Sequence, residues 1–202
     1  MNIPINEATA NLEVKKSKFI AIARYCDTLQ GVKDLVNETK KAHPDATHVV
    51  HAAVVGKEGT EFSFSDDKEP KNTAGRPAFE VLKGREITNI AVMIIRYFGG
   101  TKLGTGGLVK AYGDAMKAVL EKIQTEELID KRSFKVMTSY DRYEPIKLIL
   151  QKNGGTITDE EFTVGVTLSG NLPEKNTATL KAEIVERSNG KDTIQFSQDS
   201  TH

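Results

Sequence analysis

Polar and apolar positions alternate between two patterns along the chain, one strand-like and one with helical spacing. Residues 14–23 read as a strand, and Thr28 then offers an N-cap before Leu29, Val32, Leu35 and Val36, which share one helix face. Pro44 closes that helix. The runs 47–55 and 87–95 are β-branched and apolar on both faces, which suits central strands of a sheet covered by helices. Between them Pro77 is placed for the first turn of a helix carrying Ala78, Phe79, Val81 and Leu82, and Gly84 ends it. Leu108, Ala111, Tyr112, Ala115 and Val119 predict a further helix over 106–123, its apolar stripe packed on the sheet.

The rest of the chain predicts a strand over 134–139, a helix over 143–152 and a turn at Gly154 and Gly155. Strands over 156–159 and 162–168, a helix over 173–186 and a strand over 193–196 follow, and residues 198–202 are expected to fray. The order βαββαβ is the ferredoxin-like pattern, for which about 65 residues suffice. The expectation is an α+β chain of two domains, 1–131 and 132–202.

Composition narrows the class. With 38% hydrophobic and 28% charged residues the chain is an ordinary globular one, and no apolar run approaches the roughly 20 residues that span a bilayer. The N-terminal residues lack a basic start, apolar core and cleavage site, so a cytoplasmic location is expected. Cys26 is the one cysteine; no base stands beside it in sequence, and a buried structural thiol is expected. A formal net charge of +0 excludes a globally basic nucleic-acid binder. Charge is nevertheless segregated. Residues 76–110 carry Arg76, Lys83, Arg85, Arg96, Lys102 and Lys110 against Glu80 and Glu86, six minus two, or plus four. Upstream, Glu58, Glu61, Asp66, Asp67 and Glu69 form an acidic cluster interrupted by Lys68; either the two segments lie against each other and partly neutralise, or they are a solvated charged loop beside a solvated charged face.

Candidate chemistry sits in two stretches. Gly99, Gly100, Gly104, Gly106 and Gly107 fall within nine residues, whereas 16 glycines in 202 residues predict fewer than one. Glycine at a helix start costs up to about 1 kcal/mol relative to alanine, so bare backbone there suits close approach by an anion to unpaired first-turn N–H groups. Arg76, Arg96, Lys102 and Lys110 supply counter-charge. A tight strand-to-helix connection needing positive φ would use the same glycines, and the pattern is neither a Walker A motif nor a complete dinucleotide fingerprint. The second stretch, 64–77, places Asp66, Asp67 and Glu69 within four residues, weak candidates for metal binding or general-base catalysis. His48 and His51 lie three apart in a strand, point to opposite faces and are not expected to share a metal. No metal or cofactor is expected.

Taken together, Asp66-Asp67-x-Glu69-Pro70-x-x-Thr73-Ala74-Gly75-x-Pro77 and Arg96-Tyr97-Phe98-Gly99-Gly100-x-x-Leu103-Gly104-x-Gly106-Gly107-Leu108 resemble the IMPACT family, in particular its bacterial YigZ-like branch. The usual first motif reads Asp-Asp-Gly-Glu-Pro-Ser-Gly-Thr-Ala-Gly, so Lys68, Lys71 and Asn72 depart from it. The resemblance implies a first domain like domain IV of elongation factor G and the GHMP kinases, with a left-handed βαβ crossover, followed by a ferredoxin-like domain like the last domain of that factor. Eukaryotic relatives regulate translation through an additional domain not seen in this chain, so that role is not expected to transfer.

Three readings stand at this point. The first is a non-enzymatic, translation-linked protein that binds RNA, the ribosome or another phosphate-bearing ligand through Arg76, Arg96, Gly99, Gly100, Lys102, Gly104, Gly106, Gly107 and Lys110. The second is an enzyme, phosphatase- or hydrolase-like, acting on a phosphorylated small molecule. The third is an adapter using Tyr97 and Phe98 as an aromatic anchor, although these two also continue an apolar strand and suit a core.

Overall fold

The structure is a computed structural model that describes the backbone of residues 1–201 and the side chains of residues 1–197. It divides into two compact units, Met1–Leu128 and Ile129–His202. No helix among the described residues is long and apolar enough to cross a membrane.

The first unit contains β1 (Asn2–Pro4), β2 (Ala8–Val14), β3 (Ser17–Tyr25), α1 (Leu29–Ala42), β4 (His48–Val55), β5 (Glu61–Ser65), α2 (Gly75–Lys83), β6 (Ile90–Tyr97), α3 (Gly104–Leu120) and β7 (Thr125–Glu127). Five strands form one antiparallel sheet in the order β2-β3-β6-β4-β5, and β1 pairs with β7. The two-sided apolar runs serve the purpose their pattern implies. Val50, Ala52, Val54, Ile90, Val92 and Ile94 face α2 and α3, while Val49, Ala53, Val55, Ala91, Met93 and Ile95 pack on the α1 side with Val32. Thr28 caps α1, its hydroxyl accepting from Gly31 N at 3.1 Å.

Some boundaries differ from the sequence reading. Residues 14–23 are not one strand: β2 and β3 form a hairpin that turns at Lys15 and Lys16, with φ of 47° and 65°. Two consecutive positive φ values are those of a type I′ turn, normally signalled by Asn-Gly, and two lysines hide it. The short strand β5 lies inside a stretch read as acidic and polar. Helix α3 starts two residues earlier than expected, at Gly104, and ends at Leu120.

The antiparallel pairings place the chemistry at one end of the sheet. Strand β6 runs opposite to β3 and β4, and β5 runs opposite to β4, so β5 and β6 end at the same edge. Helices α2 and α3 both start there, beside the Lys15–Lys16 turn. Gly75, the first residue of α2, abuts the end of β5, where an added Cβ would lie 2.6 Å from the Ser65 carbonyl oxygen.

The second unit contains β8 (Lys131–Thr138), α4 (Tyr143–Lys152), β9 (Thr156–Phe162), β10 (Val166–Pro173), α5 (Thr177–Ser188) and β11 (Thr193–Thr201). Its antiparallel sheet has the order β11-β8-β10-β9, the ferredoxin-like arrangement. Phe134, Val136, Ile146, Leu150, Leu168, Leu180 and Ile184 form its core. The helix expected from 173 begins at Thr177, because Pro173 completes β10 and Glu174–Asn176 make a single 3-10 turn. Fraying was expected over 198–202; β11 continues to Thr201, and His202 lies outside the described residues.

Two departures from the family motif acquire a physical meaning. Lys68 and Asn72, standing where that motif has glycine, have φ of 72° and 63°. Asparagine tolerates the left-handed region, whereas lysine loses about 1–2 kcal/mol there. Lys68→Gly is therefore expected to raise stability by about 0.5–1 kcal/mol, after allowing for glycine's larger unfolded-state entropy, in urea unfolding.

Candidate functional site

The loop between β5 and α2 is built from its own carboxylates. Asp66 Oδ1 accepts from Ala74 N at 3.0 Å and Gly75 N at 2.8 Å, and Oδ2 accepts from Asn72 N at 2.8 Å. It thus caps α2 from upstream, the role that Ala74, without a polar side chain, cannot fill. Asp67 Oδ1 pairs with Lys40 Nζ at 2.6 Å and Oδ2 accepts from Val49 N at 2.8 Å. Burial pushes the Asp67 carboxyl up, but the Lys40 ammonium and the Val49 N–H outweigh it and hold the group below its ordinary value.

Glu69 lies deeper, 8% exposed. Its Oε1 accepts from Arg96 Nη1 and from the Tyr112 hydroxyl at 2.9 Å, with His48 Nε2 at 3.7 Å. His48 Nδ1 lies 2.7 Å from the Asp67 carbonyl oxygen, so this imidazole spans the two acidic residues. Burial first, and Glu69 second, push the Tyr112 phenol far up, so it stays a protonated donor. The Arg96 guanidinium sits 5.7 Å from each of the Phe19 and Phe98 ring centres, and its Nη2 is 3.5 Å from Ser17 Oγ.

The two sequence motifs therefore meet, and the neutralisation takes a specific form, a buried Glu69–Arg96 pair. Arg96 is 5% exposed and turned inward, so its charge serves the fold. The polar contacts of Asp66 and Asp67 are likewise internal. Nothing in the sequence pattern marks Tyr112 and His48 as partners of Glu69. Tyr112 falls in the apolar stripe of α3, and the available signal was that a buried tyrosine hydroxyl needs a hydrogen-bond partner.

The five glycines separate by cause. An added Cβ at Gly99 would overlap the Lys16–Ser17 peptide, and Gly99 N donates to Ser17 Oγ at 3.1 Å, so this glycine serves close approach of the loop to the β2–β3 turn. Gly100 and Gly104 have φ of 83° and 74°. At Gly107 an added Cβ would come 3.1 Å from Leu103 Cβ, a contact with a small adjustment. Gly106 has neither positive φ nor any atom within 4 Å of an added Cβ.

The outward surface of this edge is basic. Lys15, Lys16, Lys18, Lys68, Lys71, Arg76, Lys102 and Lys110 are exposed; Arg76 lies 4.0 Å from Glu80, and Lys110 pairs with Asp114 at 2.8 Å. Tyr97 and Phe98 have different surroundings. Tyr97 is half-buried with its hydroxyl 2.8 Å from His43 Nδ1, and Phe98 is 48% exposed. His51 faces the α1 side and lies 2.9 Å from Ser63 Oγ, away from His48. Among the described residues no three His, Cys, Asp or Glu side chains form a metal-holding group. Cys26 is buried in the core on the α1 face, and burial pushes its thiol up.

This is an α+β protein of two units whose first carries a glycine-rich, basic sheet edge fastened by an internal Glu–Arg pair. The family model described as the Impact N-terminal domain matches residues 15–120, and a domain of unknown function, DUF1949, matches residues 138–191. The chain is 32% identical to an IMPACT family member of Haemophilus influenzae, covering 96% of this chain and 95% of that one. It is 33% identical to the IMPACT family member YigZ of Escherichia coli, covering 93% of each. A crystal structure described as that of a hypothetical protein superposes with a TM-score of 0.66 at 32% identity, covering 98% of both chains. The chain belongs to the IMPACT family.

Proposed function

We propose that this protein is a non-enzymatic, translation-linked factor of the cytoplasm that binds the phosphate backbone of RNA, free or in the ribosome, at the basic edge of its first unit. One observation carries the reading: the acidic residues of the β5–α2 loop are engaged within the fold, Asp66 on the amides that open α2, while lysines 16, 68, 71 and 102 and the start of α3 face outward. The sequence-level balance of charge is thereby unbalanced in space. The start of α3, which has no side-chain cap, adds roughly 0.3–1 kcal/mol of attraction for an anion, and lysines contact phosphate without reading sequence. The link to translation rests on the resemblance to the domain pair of elongation factor G. Engagement of Asp66, Asp67 and Glu69 within the fold favours binding over catalysis on a phosphorylated small molecule.

The test is binding of the full chain to ribosomes and to short single-stranded RNA across a salt series. Four to six contacts predict a log-log slope of about −3 to −4. Replacing Lys71 and Lys102 together by alanine removes two contacts, which lowers the slope by about 1.4 and the affinity about 25-fold at 0.1 M salt. Absence of binding at low salt overturns the reading and brings the small-phosphate enzyme forward.

A further inference from the structure

Strand β5 ends the five-stranded sheet, and its sequence Glu61-Phe62-Ser63-Phe64-Ser65 carries neither proline nor lysine, the residues that usually guard an edge. Phe62 and Phe64 project from one face, stacked with each other at 6.3 Å and on Phe79 of α2 at 4.9 and 5.1 Å. Packing does not hide them: Phe62 is 54% exposed and Phe64 37%. A cavity of about 280 Å³ lined by Val54, Phe62, Phe79 and Ile87, together with Lys83 and Glu86, adjoins this aromatic row. The opposite face of the strand carries Glu61, Ser63 and Ser65. The surface is apolar along a free edge, the form that accepts another strand.

We infer that β5 is a homotypic docking edge, pairing antiparallel with β5 of a second copy about a two-fold axis through Ser63. The strand is self-complementary under that rotation. Phe62 of each copy falls opposite Phe64 of the other, joining two aromatic rows, while Glu61 falls opposite Ser65 and Ser63 opposite itself, so no like charges meet. A symmetric pair of this kind is closed and uses one patch twice. It joins two five-stranded sheets edge to edge through one five-residue strand of each copy, a small contact, so association is weak and rises with concentration.

The experiment combines sedimentation velocity with cross-linking of the full chain. Wild type is expected to shift toward dimer as concentration rises, and Phe62→Lys, a change at a half-exposed site, to remain monomeric with unaltered circular dichroism. Ser63→Cys is expected to form a disulfide-linked dimer on mild oxidation, reversed by reductant, since two-fold pairing sets the two sulfurs opposite each other and Cys26, the native cysteine, is buried. Lys117→Cys, exposed on α3, is the control that does not link preferentially. Wild type that stays monomeric at every concentration, with Ser63→Cys unlinked, overturns the inference and leaves the edge to a strand from a different protein.

Discussion

Arg96→Ala is expected to lower the stability of the first unit by about 3–5 kcal/mol in urea unfolding, because it strands the buried Glu69 carboxylate. The loss extends beyond one ion pair. Glu69 holds the β5–α2 loop against β6 through Arg96 and against α3 through the Tyr112 hydroxyl, so three elements share one carboxylate oxygen. Glu69→Gln keeps the shape but leaves the guanidinium without its counter-charge, and is expected to cost a similar amount. The double variant Glu69→Gln, Arg96→Met removes both charges and is expected to cost clearly less than the sum, since partners in one network are not additive. A loss below about 1 kcal/mol for Arg96→Ala, with additive behaviour in the double variant, would show that the pair is solvated and free to serve a ligand.

Gly99→Ala is expected to cost about 1–3 kcal/mol, and Gly106→Ala to be neutral or to stabilise by about 0.5–1 kcal/mol. The two residues lie seven apart in one glycine-rich stretch, yet their surroundings are opposite. A methyl group at Gly99 would enter the Lys16–Ser17 peptide and push apart the loop and the β2–β3 turn, whereas one at Gly106 would enter open space on a helix that prefers alanine. Unfolding of both variants, followed by RNA binding of the Gly106 variant, separates structure from function. Better folding with weaker binding in Gly106→Ala would place the anion at the start of α3; better folding with unchanged binding would leave the lysines to carry it.

The periodic elements were legible in the chain. The two-sided runs marked the central strands β4 and β6, and the helical stripes marked α1, α2 and α3. The βαββαβ order marked the second unit, because each of these signals depends on a residue's own chemistry and on local spacing. The type I′ turn at Lys15 and Lys16 was not legible, because neither lysine signals positive φ. The short edge strand β5 does carry a signal, the alternation Glu61-Phe62-Ser63-Phe64-Ser65 of a half-buried strand, but it is only five residues long and runs into an acidic, turn-forming stretch that masks it.

The candidate site divides along the same line. Sequence by itself determined the family, the fold class and the concentration of glycine, acid and base in two motifs, since these are properties of residues in order. Only the tertiary structure decided which charges face water. Antiparallel pairing brings the ends of β5 and β6, the starts of α2 and α3 and the β2–β3 turn to one edge, and there Asp66 meets helix amides, Asp67 meets Lys40 and Glu69 meets Arg96. A carboxylate near an unpaired N–H or a cation lowers its energy by turning inward, while a lysine without such a partner keeps its hydration by staying out. A chain of zero net charge thus presents a basic edge.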